Sequence, residues 1–178
     1  NGRIFYHKEM GLVSDIFDHV VLGHLHGEIA IGHVRYATAQ ERMKEDIQPL
    51  VLKYTKGHMA LAHNGNLINA QQIRRRLEEQ GTFFQTTTDL EVLAALLSRA
   101  RIRHHSIEDA LVEVMTKIKG AYSLLIMTPH KLIAARDPLG MRPLSLGKKG
   151  DSYIFASEST AFDAVGAILV LAFMVGPP

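Results

Sequence analysis

The 178-residue chain contains no cysteine. These residues can therefore form no disulfide, thiolate metal site or iron–sulfur ligation of their own, and they lack the commonest nucleophile for amide cleavage. A strong charge of either sign is missing too: 20 Lys+Arg stand against 18 Asp+Glu. Such a balance offers no field to hold a phosphate backbone or an anionic membrane, so nucleic acid and membrane are not expected partners. The most basic run, Arg74 to Arg76, has Glu78 and Glu79 close behind and reads as a solvated helix face. Long hydrophobic runs are also lacking. The longest, residues 164–176, falls short of the ~17–25 residues a spanning helix needs. No basic segment leads into an apolar run and no small-residue cleavage site follows one, so a cytoplasmic protein is expected. The start at Asn1 rather than Met reads as a truncation.

What is present is a 47% apolar composition, enough for one sizeable core in one globular unit. Alternation over residues 27–36, with Ile29, Ile31 and Val34 among small and polar residues, predicts a strand running into a loop at Thr38. Residues 39–48 are polar. Residues 50–54 and 58–62 flank Thr55-Lys56-Gly57 as a hairpin that delivers His63-Asn64-Gly65-Asn66 at its end. Asn69 is placed to cap a helix that stops at Gly81. Thr88 with Glu91 forms a capping box before Leu90, Leu93, Ala94 and Leu97. A third helix runs from Ser106 towards Gly120, its apolar positions at helical spacing. From there the period shortens to that of strands, near residues 122–127, 131–135, 143–146 and 153–156. Strands, then helices, then strands again predict an α+β domain of antiparallel sheets with helices outside.

Three segments at the ends of predicted elements carry chemistry: HVRYAT (33–38), AHNGN (62–66) and TTTD (86–89). A guanidinium fork binds a carboxylate through two hydrogen bonds and an aspartate pairs with an ammonium, so Arg35 and Asp89 together suit a free amino acid. Glutamine, asparagine and many others qualify. Asn64 and Gly65 offer a side-chain amide and an unobstructed backbone N–H, which is what an oxyanion hole requires. Taken singly, each has a structural reading as well: Asn-Gly as a tight turn, Asp89 as an acid in a first helical turn, Arg35 as an ion-pair partner. Paired histidines (His24 with His26, His104 with His105) lack a third ligand at suitable spacing, and no metal site is expected.

The strings GHVRYATA, LAHNGNLINA, TTTDLEV, GAYSLLIMT and RDPLGMRPLSLG, in that order, closely resemble the glutaminase domain of the glutamine phosphoribosylpyrophosphate amidotransferases. These are class II glutamine amidotransferases of the N-terminal-nucleophile hydrolase fold. The resemblance covers about residues 11–167. Tyr36, the Gln48-Pro49 pair and residues 137–144 favour this purine-pathway family over class II relatives serving hexosamine or asparagine synthesis. It implies a four-layer αββα sandwich with its N-terminal strand missing, and residues 1–178 as a glutaminase domain incomplete at both ends. The implied activity is hydrolysis of glutamine, with ammonia passed to phosphoribosyl pyrophosphate in a phosphoribosyltransferase domain outside this chain. The product would be 5-phosphoribosylamine, in the first step of de novo purine synthesis.

Carried over position by position, Arg35 would bind the substrate α-carboxylate, Asp89 its α-amino group, and Asn64 with Gly65 the oxyanion. Tyr36, Thr38 and His63 would support the pocket. The family's nucleophile is an N-terminal Cys whose own amine acts as base, and no such residue occurs here. No cofactor is implied for this domain. Mg2+ is implied for the missing one, an iron–sulfur cluster is left open, and a homo-oligomer is implied. A glutamine-binding or assembly module without catalysis is the rival reading. The family's loop after Arg35 is glycine-rich, whereas residues 39–48 carry charges here. Residues 168–178 also depart from the family pattern, and no function is assigned to them.

Overall fold

A computed structural model describes residues 2–35 and 44–173, with side chains to residue 171. Two short helices come first: α1 (Val13–Ile16) and α2 (His19–His24), the latter capped by Asp18, which accepts from the N–H groups of Val20 and Val21 at 2.9 and 2.8 Å. After a 3-10 turn at Lys44–Asp46 come β1 (Leu50–Tyr54) and β2 (Gly57–Leu67). The helices α3 (Ala70–Glu78), α4 (Asp89–Arg103) and α5 (Ile107–Met115) follow, then β3 (Gly120–Met127) and β4 (Leu132–Arg136). The chain continues through β5 (Leu144–Lys149), β6 (Ser152–Ala156), α6 (Thr160–Val165) and β7 (Ile168–Phe173). Every strand pairing is antiparallel, in a four-stranded sheet ordered β1-β2-β3-β4 and a three-stranded sheet ordered β6-β5-β7. The expected α+β class and αββα layering hold, with α4 on the first sheet, α3 and α5 packed against α4, and α6 on the second sheet.

The core lies between the first sheet and α4. Leu90, Leu93, Ala94 and Leu97 are buried as the spacing predicts, and Val92 and Ala100 join them because α4 is flanked by α3, α5 and the sheet together. Met59 and Leu61 of β2, and Leu124 and Ile126 of β3, meet that helix from below. Each buried Leu, Ile, Val or Met among them stabilises the fold by about 1.5–3 kcal/mol through removal from water.

Four local expectations change. The first is the strand over 27–36: residues 27–35 form no ladder, although Ile29, Ile31 and His33 are half-buried and their neighbours 28, 30, 32 and 34 exposed. The period of two is thus real, but a strand also needs a hydrogen-bonding neighbour, and none of the described residues supplies one.

The second and third concern caps. Asn69 does not close α3 with its side chain; its amide donates to Lys117 O and accepts from Lys119 N, both at 2.9 Å, tying α3 to the turn before β3. Thr88 makes no capping bond, and Glu91 instead accepts from Gln85 N and from Thr86 N and Oγ1. The approach to α4 is therefore held by a carboxylate inside the helix. Ser106 does cap α5, accepting from Asp109 N at 3.0 Å.

The fourth is the place of His63 to Asn66, which lie inside β2 paired with β3 rather than past the end of a hairpin. The last strand, β7, lies at the edge of the second sheet, with Ile168 and Val170 exposed.

Candidate active site

The asymmetry of β2 creates the site. Its first half is flanked by both β1 and β3, but the β1 ladder ends at the Leu50–Leu61 pair, so from Ala62 onward one side of β2 has no strand beside it among the described residues. The backbone groups on that side find other partners. Gln48 acts as a one-residue substitute strand: its Oε1 accepts from His63 N at 2.7 Å and its Nε2 donates to His63 O at 3.1 Å. Four residues on, Asp89 Oδ2 accepts from Leu67 N at 2.7 Å. Backbone groups two residues apart on a strand point the same way. The Gly65 N–H is accordingly aimed to the same side, between the Gln48 and Asp89 contacts.

That side opens on a cavity of about 1110 Å³, whose walls include Arg35, His63, Asn64, Gly65 and Asp89. Five residues chosen from three separate stretches of sequence thus share one cavity. Tyr36 and Thr38, also expected at the pocket, lie outside the described residues.

Asp89 reaches the cavity from the first turn of α4, and the loop before it is anchored several times over. Besides the Glu91 contacts, Arg74 donates to Thr88 O at 3.1 Å and its guanidinium lies over the Phe84 ring, 4.1 Å from the centroid. Arg75 and Arg76 are exposed as the basic run predicts, whereas Arg74 is half-buried and positions this loop.

Gly65 is fixed by close approach of two strands. Its φ of +152° disfavours a side chain, and an added Cβ would stand 2.0 Å from the Ala121 carbonyl oxygen. The Asn-Gly pair here is a strand crossing rather than the tight turn that the dipeptide alone suggests.

Two histidines line the cavity. His63 is buried, and burial pushes its imidazole down to about 4, against the opposing pull of Asp89 and with help from His33 and Arg142. Burial lowers His33 as well. Both rings are therefore neutral near pH 7, which suits hydrogen bonding rather than charge. Among the described residues His63 Nε2 and His33 Nδ1 are buried without a hydrogen-bond partner.

Behind Gly65, the sequence RDPLGMR closes on itself. Asp137 is buried and accepts from the N–H groups of Tyr122, Leu139, Met141 and Arg142. Burial alone would raise its carboxyl; the N–H groups of Met141, Arg142, Tyr122 and Leu139 outweigh it and hold the group below its ordinary value. Arg136 donates to the carbonyls of Gly140 and Arg142. This loop braces Tyr122, the residue paired with Gly65. No cluster of three or more metal-ligating side chains occurs among the described residues, and no helix among them is long and apolar enough to cross a membrane.

Comparison with known proteins decides the family. The family model described as a glutamine amidotransferase domain matches residues 33–164. The chain belongs to the glutamine amidotransferase domain family. The match begins at His33 and takes in every cavity residue named above. Among curated relatives of this glutamine amidotransferase domain, the amidophosphoribosyltransferase of Bacillus subtilis is 49% identical over 166 residues, 93% of this chain and 34% of that protein. The Methanocaldococcus jannaschii amidophosphoribosyltransferase is 42% identical over 168 residues, 94% of this chain and 36% of that protein. The chain thus spans about a third of the length of these relatives. Among solved structures, the B. subtilis glutamine phosphoribosylpyrophosphate amidotransferase complexed with ADP and GMP matches with a TM-score of 0.84 at 46% identity, over 91% of this chain and 34% of that one. A structure described as the allosteric regulatory enzyme of purine biosynthesis matches with a TM-score of 0.87 at 47% identity, over 91% of this chain and 35% of that one. At this identity the likeness supports the N-terminal-nucleophile hydrolase fold of the domain.

Sequence reasoning missed Gln48 as the clamp on His63, Asp46 as a wall of the cavity, and Asp137 as the brace. Gln48 and Asp137 belong to stretches quoted for the family resemblance, so their positions were visible while their roles were not. Asp46 had no such signal.

Proposed function

We propose that this domain binds L-glutamine and releases its side-chain nitrogen as ammonia, serving an amidophosphoribosyltransferase. In the intact protein the ammonia would attack phosphoribosyl pyrophosphate to give 5-phosphoribosylamine, the entry step of purine synthesis. The observation that carries this reading is the convergence of Arg35 and Asp89 on the cavity that Asn64 and Gly65 also line. Arg35 offers its fork to the α-carboxylate and Asp89 its charge to the α-ammonium. A substrate held at both charges has its side chain fixed in direction, which converts binding energy into orientation of the amide. Asn64 Nδ2 and the Gly65 N–H then face the amide oxygen as it acquires negative charge in the tetrahedral intermediate.

The bond broken is the amide C–N of glutamine. The attacking group in this reading is an N-terminal cysteine thiolate supplied outside these residues, with the α-amine of that cysteine, ordinarily near 7.7–8.0, taking the thiol proton and returning it to the departing nitrogen. Hydrolysis of the resulting thioester gives glutamate. His63 and His33, both neutral, shape the cavity wall without competing for that proton.

The same reading places a phosphoribosyltransferase domain with Mg2+ and a homo-oligomeric assembly outside these residues. The 49% identity to the B. subtilis amidophosphoribosyltransferase supports that assignment over hexosamine or asparagine synthesis. The test is an assay of the intact protein with glutamine and phosphoribosyl pyrophosphate, following glutamate, pyrophosphate and phosphoribosylamine together. Equal yields of the three support it. Glutamine binding without glutamate release means a binding module, and glutamate release coupled to a different acceptor means another amidotransferase.

A further inference from the structure

The substrate-binding arginine has a second carboxylate beside it. Asp46 ends the 3-10 turn at Lys44–Asp46, and its Oδ2 lies 3.6 Å from Arg35 Nη1. The Asp46 side chain is 6% exposed and that of Arg35 31%, so the carboxylate is enclosed while the guanidinium still faces the opening. Asp46 Oδ1 is buried and has no hydrogen-bond partner among the described residues. Both residues line the cavity. The spacing is that of an ion pair, too long for a hydrogen bond.

We infer that Asp46 is a resident counter-carboxylate that competes with the α-carboxylate of glutamine for Arg35 and so weakens glutamine capture. The inference rests on the reading of Arg35 given above. When glutamine enters, its carboxylate comes up to the same guanidinium as Asp46, whose Oδ1 has no hydrogen-bond partner among the described residues. Leaving a buried charge without its partner is costly, and two carboxylates on one guanidinium repel each other strongly where solvent is excluded. Both effects oppose binding and neither touches the scissile amide. Asp46 is therefore a positioning residue that sets the glutamine concentration at which the domain works.

The test uses the intact enzyme and the glutaminase reaction, with Asp46→Asn and Asp46→Ser beside the wild type. Asn keeps the shape of the side chain and Ser provides a smaller neutral alternative, so the conclusion does not hang on one variant folding. Each is assayed with L-glutamine and with L-glutaminamide, whose α-carboxylate is replaced by a neutral amide. The expected result is a KM for glutamine lower by about tenfold, with the effect falling on KM rather than kcat. The KM for glutaminamide should be the same in variant and wild type, a pattern that a merely structural role for Asp46 does not produce. An unchanged or raised glutamine KM in both variants overturns the inference, as does an equal fall for both substrates. Arg35→Gln, assayed alongside, separates the two levels. If it raises the glutamine KM while the Asp46 variants lower nothing, only the competition fails; if it leaves the KM unchanged, the assignment of Arg35 itself fails.

Discussion

Gly65 and Ala121 meet backbone to backbone: a Cβ on Gly65 would lie 2.0 Å from the Ala121 carbonyl oxygen and 2.7 Å from the Tyr122 Cα. Any side chain at residue 65 must push β2 away from β3, and the positive φ adds strain of its own. Gly65→Ala should therefore lower the denaturation midpoint markedly, because the two central strands of the sheet separate there. Asn64→Ala touches no such contact and should keep the midpoint while reducing glutamine turnover by about 100-fold or more, the usual effect of losing one oxyanion donor. Denaturant titration and turnover measured on the same two variants check this. Turnover at the wild-type level in Asn64→Ala would remove it from the oxyanion hole.

Asp89 has two roles that substitution separates. Its Oδ2 holds Leu67 N, and its charge faces the cavity. Asp89→Asn can still accept from Leu67 N through its amide oxygen, so stability should change little while glutamine affinity falls. Asp89→Ala also leaves that N–H without a partner and should cost about 1–3 kcal/mol of stability in addition. Equal stability of the Asn and Ala variants would show that the Leu67 contact carries no weight.

Gln48→Leu removes both bonds to the His63 backbone with little change of volume. Two backbone groups then lose their partners, and a loss of about 2–4 kcal/mol is expected from two such vacancies partly reached by water. Urea denaturation of the variant at pH 7 measures it.

The buried histidine makes a prediction about pH. His63 sits near 4 when folded, against an ordinary value of 6.5. Above the ordinary value it is neutral in both states and costs nothing. As pH falls from 6.5 towards 4 the unfolded chain takes up a proton that the folded chain refuses, so stability declines through that window and the decline levels off below it. The full effect is about 3 kcal/mol at most. His63→Asn should flatten the dependence between pH 6.5 and 4, with the His33 contribution remaining. A slope identical to wild type, read from denaturation midpoints at several pH values, would contradict this.

Much of the domain was legible in the chain because its signals are local. The helix from Asp89 and its apolar face, the start of the next helix at Ser106 and the four strands after Gly120 follow from spacing and turn chemistry alone. The misses share a physical cause, which is dependence on partners distant in sequence. Residues 27–35 show the alternation of a strand, yet a ladder is a property of two segments and the described residues contain only one. Asn69 and Glu91 have the composition of cap residues but spend their polar atoms on Lys117, Lys119 and the 85–86 turn. Asn64-Gly65 reads as a turn until the register with Tyr122 and Ser123 places it in mid-strand. At the site, a guanidinium and a carboxylate suit the two charges of an amino acid, but each also had a structural reading, and it was the family resemblance of their stretches that assigned Arg35 and Asp89 to the two ends of glutamine. Gln48 was not, because an amide that replaces a strand shows itself only once β1 is seen to stop at Leu50.

The account's central claim is that one amino acid is held at its two charged ends by Arg35 and Asp89. Calorimetric titration of the intact protein tests it with three ligands: L-glutamine, L-glutaminamide without the α-carboxylate, and glutaramate without the α-amine. Arg35→Gln should weaken glutamine and glutaramate but not glutaminamide, and Asp89→Asn should weaken glutamine and glutaminamide but not glutaramate. If either variant weakens all three ligands equally, or none, the two residues do not hold the two ends and the assignment of the site is wrong.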